Sequence, residues 1–476
     1  MDIKTIMHGA RSGCMTVPAS KSWAHRMLIT AALSESSCEI SCDGISKDIS
    51  ATIKCLNAVG ANICMSEPDV KMSAVKNQEN SSEDNIALST VIKVIPVKIT
   101  VDHFGQSALY AHLFCGESGS TLRFMIPVVG ALGINAAFHM EGRLSQRPLE
   151  PLTGVLSEHG MSFRKDGQIL YCTGKLSGGV FSIPGNISSQ YISGLLMALP
   201  LLNEDSIIEI TGQIESGDYI EMTVRAVEEA GIKLIREGNT YHIEGKQNYR
   251  VQERMTVEKD WSSASFPLCM GAFSPDGVTV DGLNMNSVQG DKEIVNILDG
   301  FGASITIEES DHRSISLQEY LKNEDAGKES SELVSITVKK DSLKGQVIDA
   351  SRIPDLVPVI AVVAAGALGE TRIIHAERLR LKESDRLETT AAMLKALGAD
   401  IDVTEDGLLI NGGNSENARS QNSPMLTGGT VDSFNDHRIA MSAAVAAGIC
   451  TAPVTVTGAE CTDKSFPGFW DEIQRI

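Results

Sequence analysis

Six short polar or cationic clusters carry the residues that could do chemistry, and each leads into an apolar run. They are Lys21-Ser22-Trp23-Ala24-His25-Arg26, Ser118-Gly119-Ser120-Thr121-Leu122-Arg123, Ser188-Ser189-Gln190, Arg352-Ile353-Pro354-Asp355, Lys382-Glu383-Ser384-Asp385-Arg386 and Asn435-Asp436-His437-Arg438. A further cationic segment, Gly142-Arg143-Leu144-Ser145-Gln146-Arg147-Pro148, reads as two arginines flanking a turn, with Pro148 driving Arg147 extended. The first turn of a helix has unpaired N–H groups and partial positive charge. Lys, Arg and Ser placed there make an anion site, and Arg adds bidentate contact with carboxylate or phosphate. Several such termini meeting in one place would hold a small, highly charged anionic substrate.

Two carboxyls stand among these cations. Asp355 reads either as a first-turn carboxylate favoured by the helix dipole or as a general base. Glu383 lies beside Lys382 and Arg386, which are spaced to share one helix face, so it reads as part of an exposed ion-pair face or as a general acid/base. Ser188 and Ser189 fit either a plain N-cap or a phosphate grip. His437 reads as a structural histidine or as one that supports a neighbouring site residue. No His/Cys/Asp/Glu spacing suggests a metal, and no phosphate loop or dinucleotide fingerprint opens a helix. Neither a metal nor another cofactor is expected.

The elements that must position these groups repeat. Five segments run helix, glycine, short β-like stretch, with the glycine at Gly60, Gly160, Gly231, Gly302 and Gly398. Glycine there suits the left-handed residue that ends a helix. Phe469 to Ile476 looks like a sixth helix cut off before its strand. The chain therefore reads as α/β, with six units and three per domain. Polar stretches at Lys71–Ser89, Glu308–Glu332 and Gly412–Gly429 read as surface loops or hairpin insertions.

Composition sets the outer bounds. A chain of 476 residues exceeds one ordinary core, so two domains are expected. Its net charge of −20 argues against a nucleic-acid surface and makes clustered cations stand out. The longest apolar stretch, Val357–Leu368, is too short to span a bilayer. The start of the chain shows no signal peptide. The ten cysteines, without a C-x-x-C pair, read nearly all as reduced core thiols of a cytoplasmic protein.

Taken in order, the segments resemble the enolpyruvyl transferase family of 3-phosphoshikimate 1-carboxyvinyltransferases, the EPSP synthases. The resemblance runs from Lys21 to Lys464 through Ser20-Lys21-Ser22 with Arg26, Gly119 to Arg123, Gly142-Arg143 with Arg147-Pro148, Ser188-Ser189-Gln190, Lys382 to Arg386, Asn435 to Arg438, and Lys464. It implies a two-domain inside-out α/β barrel of six β-α-β-α-β-β units, helices inside and sheets outside. It also implies chain crossings near Ala19–Lys21 and Glu258–Asp260, giving one domain of residues 1–20 plus 258–476 and an inserted domain of 21–257, with the active site in the cleft.

The implied reaction joins shikimate 3-phosphate to phosphoenolpyruvate. By motif match, Lys21, Ser22, Arg26, Ser188, Ser189, Gln190, Ser216, Asp355 and Lys382 would hold shikimate 3-phosphate. Lys21, Gly119, Arg143, Gln190, Arg386, Arg438 and Lys464 would hold phosphoenolpyruvate. Asp355, Glu383 and Lys21 would be catalytic. A cytoplasmic monomer of the shikimate pathway is implied, acting on small molecules rather than nucleic acid or membrane. Gly119 and its neighbours would govern the response to glyphosate, a competitor of phosphoenolpyruvate.

Three positions depart from the family pattern: Glu117 and Arg378 each stand where some members have Asn, and Ala19 replaces Gly. The related UDP-N-acetylglucosamine enolpyruvyl transferases carry a Cys-bearing loop where this chain has Glu141 to Pro148. A scaffold of degenerate repeats would be expected to lose the cations at its unit starts.

Overall fold

In a computed structural model of the chain, residues 2–66, 89–96, 110–322, 333–413 and 426–476 are described. Six sheets lie on the outside and apolar helices lie within. The inner helices show why the long apolar runs exist. Val357–Ala365 is buried at every position, His437–Ala446 likewise, and Gly119–Leu132 nearly so. A helix buried all round has no polar face to offer water. The strands do alternate: in Ser206–Thr211, Ser206, Ile208 and Ile210 turn inward.

Each complete unit follows one plan. The first strand pairs parallel with the second, and a hairpin then adds antiparallel strands. Thus Gly179–Pro184 runs parallel to Ser206–Thr211, which pairs antiparallel with Thr240–Ile243 and, through it, Leu234–Glu237. Each of the five repeated glycines has a positive φ, between +81° and +107°, at the exit of a helix and just before a strand. At Gly160 a Cβ would also meet the Lys175 carbonyl at 2.7 Å. Among the described residues the sheets stay open and do not close into a continuous barrel.

Two units borrow their first strand from a distant part of the chain. Arg254–Thr256 pairs parallel with Cys38–Asp43, and Gly13–Met15 with Val278–Asn284. The sixth sheet has three strands, Ile3–Ile6, Val454–Thr457 and Gly429–Asp432, and Phe469–Arg475 is the last helix. Two hydrophobic cores result. One gathers Ile6, Met15 and Val17 with residues from Trp261 onward, and the other runs from Ala19 to Val257. Where the cores change over, two segments lie antiparallel. Ser20 N–H donates to Glu258 O at 2.7 Å, and Asp260 N–H donates to Pro18 O at 2.9 Å.

Some details differ from the sequence-based expectations. Cys14 and Cys64 are exposed, whereas the other eight cysteines are buried, and all ten are free. Of the Glu308–Glu332 stretch, a hairpin between Ser304–Glu308 and Ser314–Ser316 and a short helix at Leu317–Lys322 are described. Most of the Lys71–Ser89 and Gly412–Gly429 stretches, and residues 323–332, lie outside the described residues. Among the described residues, no helix is long and apolar enough to cross a membrane.

Candidate active site

Capping sets the entrances. Ser20 Oγ accepts the Trp23 N–H at 3.4 Å, Ser118 Oγ the Thr121 N–H at 3.2 Å, Asp385 the Glu388 N–H at 3.3 Å and Asp436 the Arg438 N–H at 3.0 Å. Each cap fixes where its helix begins, and so where the adjoining cation points. Ser188 is different: it stands at the N-cap without a side-chain cap bond. Ser216 begins Gly217–Glu229 in a left-handed conformation, φ +52°, and its buried hydroxyl has no hydrogen-bond partner among the described residues.

These entrances face one cavity. Its wall includes Lys21, Ser22, Arg26, Gly119, Ser188, Ser189, Gln190, Ser216, Asp355, Lys382, Glu383, Arg386 and Arg438. Arg143 lines an adjoining recess with Glu117, Gly142 and Asn435, and Arg147 and Glu383 belong to both. Arg143 Nη1 donates to the Glu383 carbonyl at 3.4 Å. Lys464 reaches the recess through Glu117, 2.6 Å from its Nζ. Arg352 does not join its cluster: it points to solvent, 72% exposed, and pairs with Asp218.

The expected shared helix face of Lys382 and Arg386 is also corrected. The helix begins only at Arg386, with Asp385 as its cap, and Lys382 is extended. The two still converge, because both reach Asp355. Lys382 Nζ lies 3.3 Å from Asp355 Oδ1, and Arg386 Nη1 lies 2.7 Å from the same oxygen. Tyr219 Oη donates to Oδ2 at 3.0 Å, and Arg438 Nη2 is 3.4 Å from it. Burial pushes the Asp355 carboxyl up, but Arg438, Lys382 and Arg386 outweigh burial and hold it well below the ordinary carboxylate range.

Glu383 is held in the same way. Arg386 Nη2 donates to its Oε2 at 2.6 Å, and Arg147 Nη1 is 3.9 Å from Oε1. Against burial, Arg386 and Arg147 keep this carboxyl well below its usual range. Arg386 is 1% exposed and also donates to Asp436 through Nε at 2.8 Å, so its orientation is locked. Burial lowers Lys382 to about 8 despite Asp355.

Among the described residues, Arg26 pairs with no carboxylate. It donates to Thr223, Ser193 and the carbonyls of Ser22 and Tyr219, and burial lowers it to about 9. Lys21 is 3.0 Å from Asp48. The cavity wall carries more cations than carboxylates. Such a surface favours a polyanion that can replace the water these charges have lost.

Residues outside the expected set complete the wall. Arg123 Nη1 donates to Gln190 Oε1 at 3.0 Å, and Gln190 Nε2 donates to Ser120 Oγ at 2.9 Å, so Arg123 aims Gln190. Arg123 and Arg147 were visible as cations of their segments. Tyr219 carried no local signal, since a tyrosine inside an amphipathic helix looks like core. His437 lines the cavity with both ring nitrogens buried and without hydrogen-bond partners among the described residues. Burial and Lys21 push it well below its ordinary value, so it is neutral. Among the described residues no group of three or more His, Cys, Asp or Glu could hold a metal ion.

The family description "EPSP synthase (3-phosphoshikimate 1-carboxyvinyltransferase)" matches residues 8–95 and 91–473. The chain belongs to the EPSP synthase family. Two curated relatives named 3-phosphoshikimate 1-carboxyvinyltransferase agree over nearly full length. The protein of Clostridium perfringens is 38% identical over 98% of this chain and 96% of its own. That of Clostridium acetobutylicum is 37% identical over 98% and 95%. A solved EPSP synthase from Acinetobacter baumannii superposes with a TM-score of 0.73 at 25% identity, covering 100% of this chain and 98% of its own. The two-domain inside-out arrangement of EPSP synthases accounts for the six outer sheets and the buried helices.

Proposed function

We propose that the chain transfers the enolpyruvyl group of phosphoenolpyruvate to the 5-hydroxyl of shikimate 3-phosphate in the cavity just described. The division is into a lobe of residues 1–20 with 258–476 and an inserted lobe of 21–257, the cleft between them being the site. The observation that carries this reading is the gathering of distant cations around one cavity, with two carboxyls, Asp355 and Glu383, both held by Arg386.

The chemistry is addition followed by elimination. The 5-hydroxyl oxygen bonds to C2 of phosphoenolpyruvate while C3 gains a proton. The tetrahedral adduct then loses inorganic phosphate from C2 and a proton from C3, leaving the enol ether. Two polyanions must be held within reacting distance, and fixed cations offset their repulsion. Lys21, Ser22, Arg26, Ser188, Ser189, Gln190, Ser216 and Lys382 hold shikimate 3-phosphate. Lys21, Gly119, Gln190, Arg143, Arg386, Arg438 and Lys464 hold phosphoenolpyruvate. Asp355, in reach of Lys382 and Arg438, accepts the hydroxyl proton. Glu383 supplies the proton to C3 and can take one back in elimination.

The field in the site supports this sequence of events. Without ligands the cations keep both carboxyls ionised. Bound phosphates and carboxylates cancel part of that field, and Glu383 then rises toward protonation.

The reading implies a cytoplasmic monomer acting on two small molecules. Purified protein is expected to release inorganic phosphate only when shikimate 3-phosphate and phosphoenolpyruvate are both present. Turnover with UDP-N-acetylglucosamine in place of shikimate 3-phosphate would reject it.

A further inference from the structure

Glu117 places a carboxylate on a cation that the substrate is meant to occupy. It stands between the strand Ala111–Gly116 and the cap Ser118. Its Oε2 lies 2.6 Å from Lys464 Nζ, and Asn435 Nδ2 donates to both of its oxygens at 3.2 Å. The second bond of Lys464 goes to the Asn435 carbonyl at 2.8 Å. The pair is mostly withdrawn from water, with side-chain exposures of 11% for Lys464 and 29% for Glu117. Gly142 makes room for it: a Cβ there would sit 2.7 Å from Glu117 Cδ. The carboxylate thus lies in the recess lined by Gly142, Arg143 and Arg147, which shares Glu383 with the main cavity.

We propose that Glu117 is a specificity-determining residue for phosphoenolpyruvate, an internal anion that holds Lys464 ready and that the incoming substrate must displace. The inference rests on the assignment of Lys464 to phosphoenolpyruvate made above. An ammonium group can turn its donors to a new acceptor at small cost, so Lys464 can exchange one carboxylate for another. The exchange makes no new net charge pairing, because one ion pair is lost as one is formed. Glu117 then remains beside the newly bound anion and repels it. Lys464 therefore contributes order more than affinity, and the cost falls on phosphoenolpyruvate alone. Shikimate 3-phosphate is assigned to Ser22, Arg26 and Ser188, on the cavity wall away from this recess.

Steady-state kinetics of E117Q test this, with E117N as a second neutral variant and E117D as the charge-conserving control. Glutamine keeps an acceptor for Lys464 and removes the charge. Expected for E117Q and E117N is a fall of about tenfold in KM for phosphoenolpyruvate, the size of one like charge removed from a partly screened site. The kcat and the KM for shikimate 3-phosphate are expected to stay within about threefold, and E117D to stay near the parent. A KM for phosphoenolpyruvate that is unchanged or raised in both neutral variants, with the parent active, would overturn the inference. So would a fall in kcat with a rise in both KM values together, which is what a merely structural residue would give. Absence of turnover in the parent protein would instead overturn the functional reading, and this inference with it.

Discussion

Arg386 is shared by three carboxylates, and that arrangement decides how the site handles protons. Its guanidinium contacts Asp355, Glu383 and Asp436 while being almost wholly buried. Removing Asp355 or Glu383 takes away the proposed proton acceptor or donor. Asp355→Ala and Glu383→Gln are each expected to lower kcat by on the order of 100-fold or more, read in the phosphate-release assay. Rates within a few-fold of the parent would remove those residues from the chemistry.

A second test concerns Lys382, whose ammonium burial brings down to about 8. It is cationic below that pH and loses its charge above it. In the proposed reading that cation binds shikimate 3-phosphate, so kcat/KM for that substrate should fall from about pH 8 upward, approaching tenfold per pH unit. Lys382→Arg stays charged throughout and should flatten that limb. A parent profile flat through pH 9.5 would contradict the assignment. The charged members of this site were legible because cations at helix starts stand out in an acidic chain. Tyr219, which orients Asp355, was not, because its role depends on a contact 136 positions away.

Helices set much of the spacing of the site, and at one glycine two of them approach closely. Ser189–Ala198 packs on Gly119–Leu132 at Gly194, where a Cβ would meet the Arg123 carbonyl at 2.6 Å and Pro127 Cγ at 2.9 Å. Those helices carry Ser189 and Gln190 on one side and Gly119 and Arg123 on the other. Gly194→Ala must separate them. It is expected to destabilise the protein by about 1–3 kcal/mol, the range for overpacking, and to raise KM for both substrates. Thermal melts and kinetics on the same preparation check both, and an unchanged melt would show that the helices can give at no cost.

At this scale the sequence was informative wherever backbone geometry restricts residue choice. The five left-handed glycines marked helix ends and hence the unit count. It was silent where pairing is non-local. Nothing near Arg254–Thr256 says that it completes a sheet begun by Cys38–Asp43, since a three-residue strand has no pattern of its own. The shared-face expectation for Lys382 and Arg386 failed for a local reason: Asp385 caps the helix, which therefore begins only at Arg386 and leaves Lys382 outside it.

Two antiparallel segments, at Ala19 and Lys259, join the proposed lobes, so the contacts across the cleft decide how firmly it stays shut. Polar contacts cross it. Lys464 meets Glu117, Arg378 meets Glu215 at 3.0 Å, Arg352 meets Asp218, and Tyr219 donates to Asp355. Partly exposed ion pairs contribute about 0–1 kcal/mol each and weaken in salt. Among the described residues the two hydrophobic cores form separate clusters, with Val288 of one lobe packed against the core of the other. Closure without ligands is then marginal. Bound phosphates and carboxylates would bridge cations from both lobes, such as Arg26 on one side and Lys382 and Arg438 on the other, and tip the balance. Small-angle scattering should therefore show the radius of gyration falling when both substrates are saturating. Raising salt from about 0.05 to 0.5 M, over which the Debye length shrinks severalfold, should expand the free protein and leave the saturated one unchanged. A profile insensitive to both ligands and salt would mean that the lobes are rigidly joined. The cations would then have to accept their substrates through a cleft that never opens.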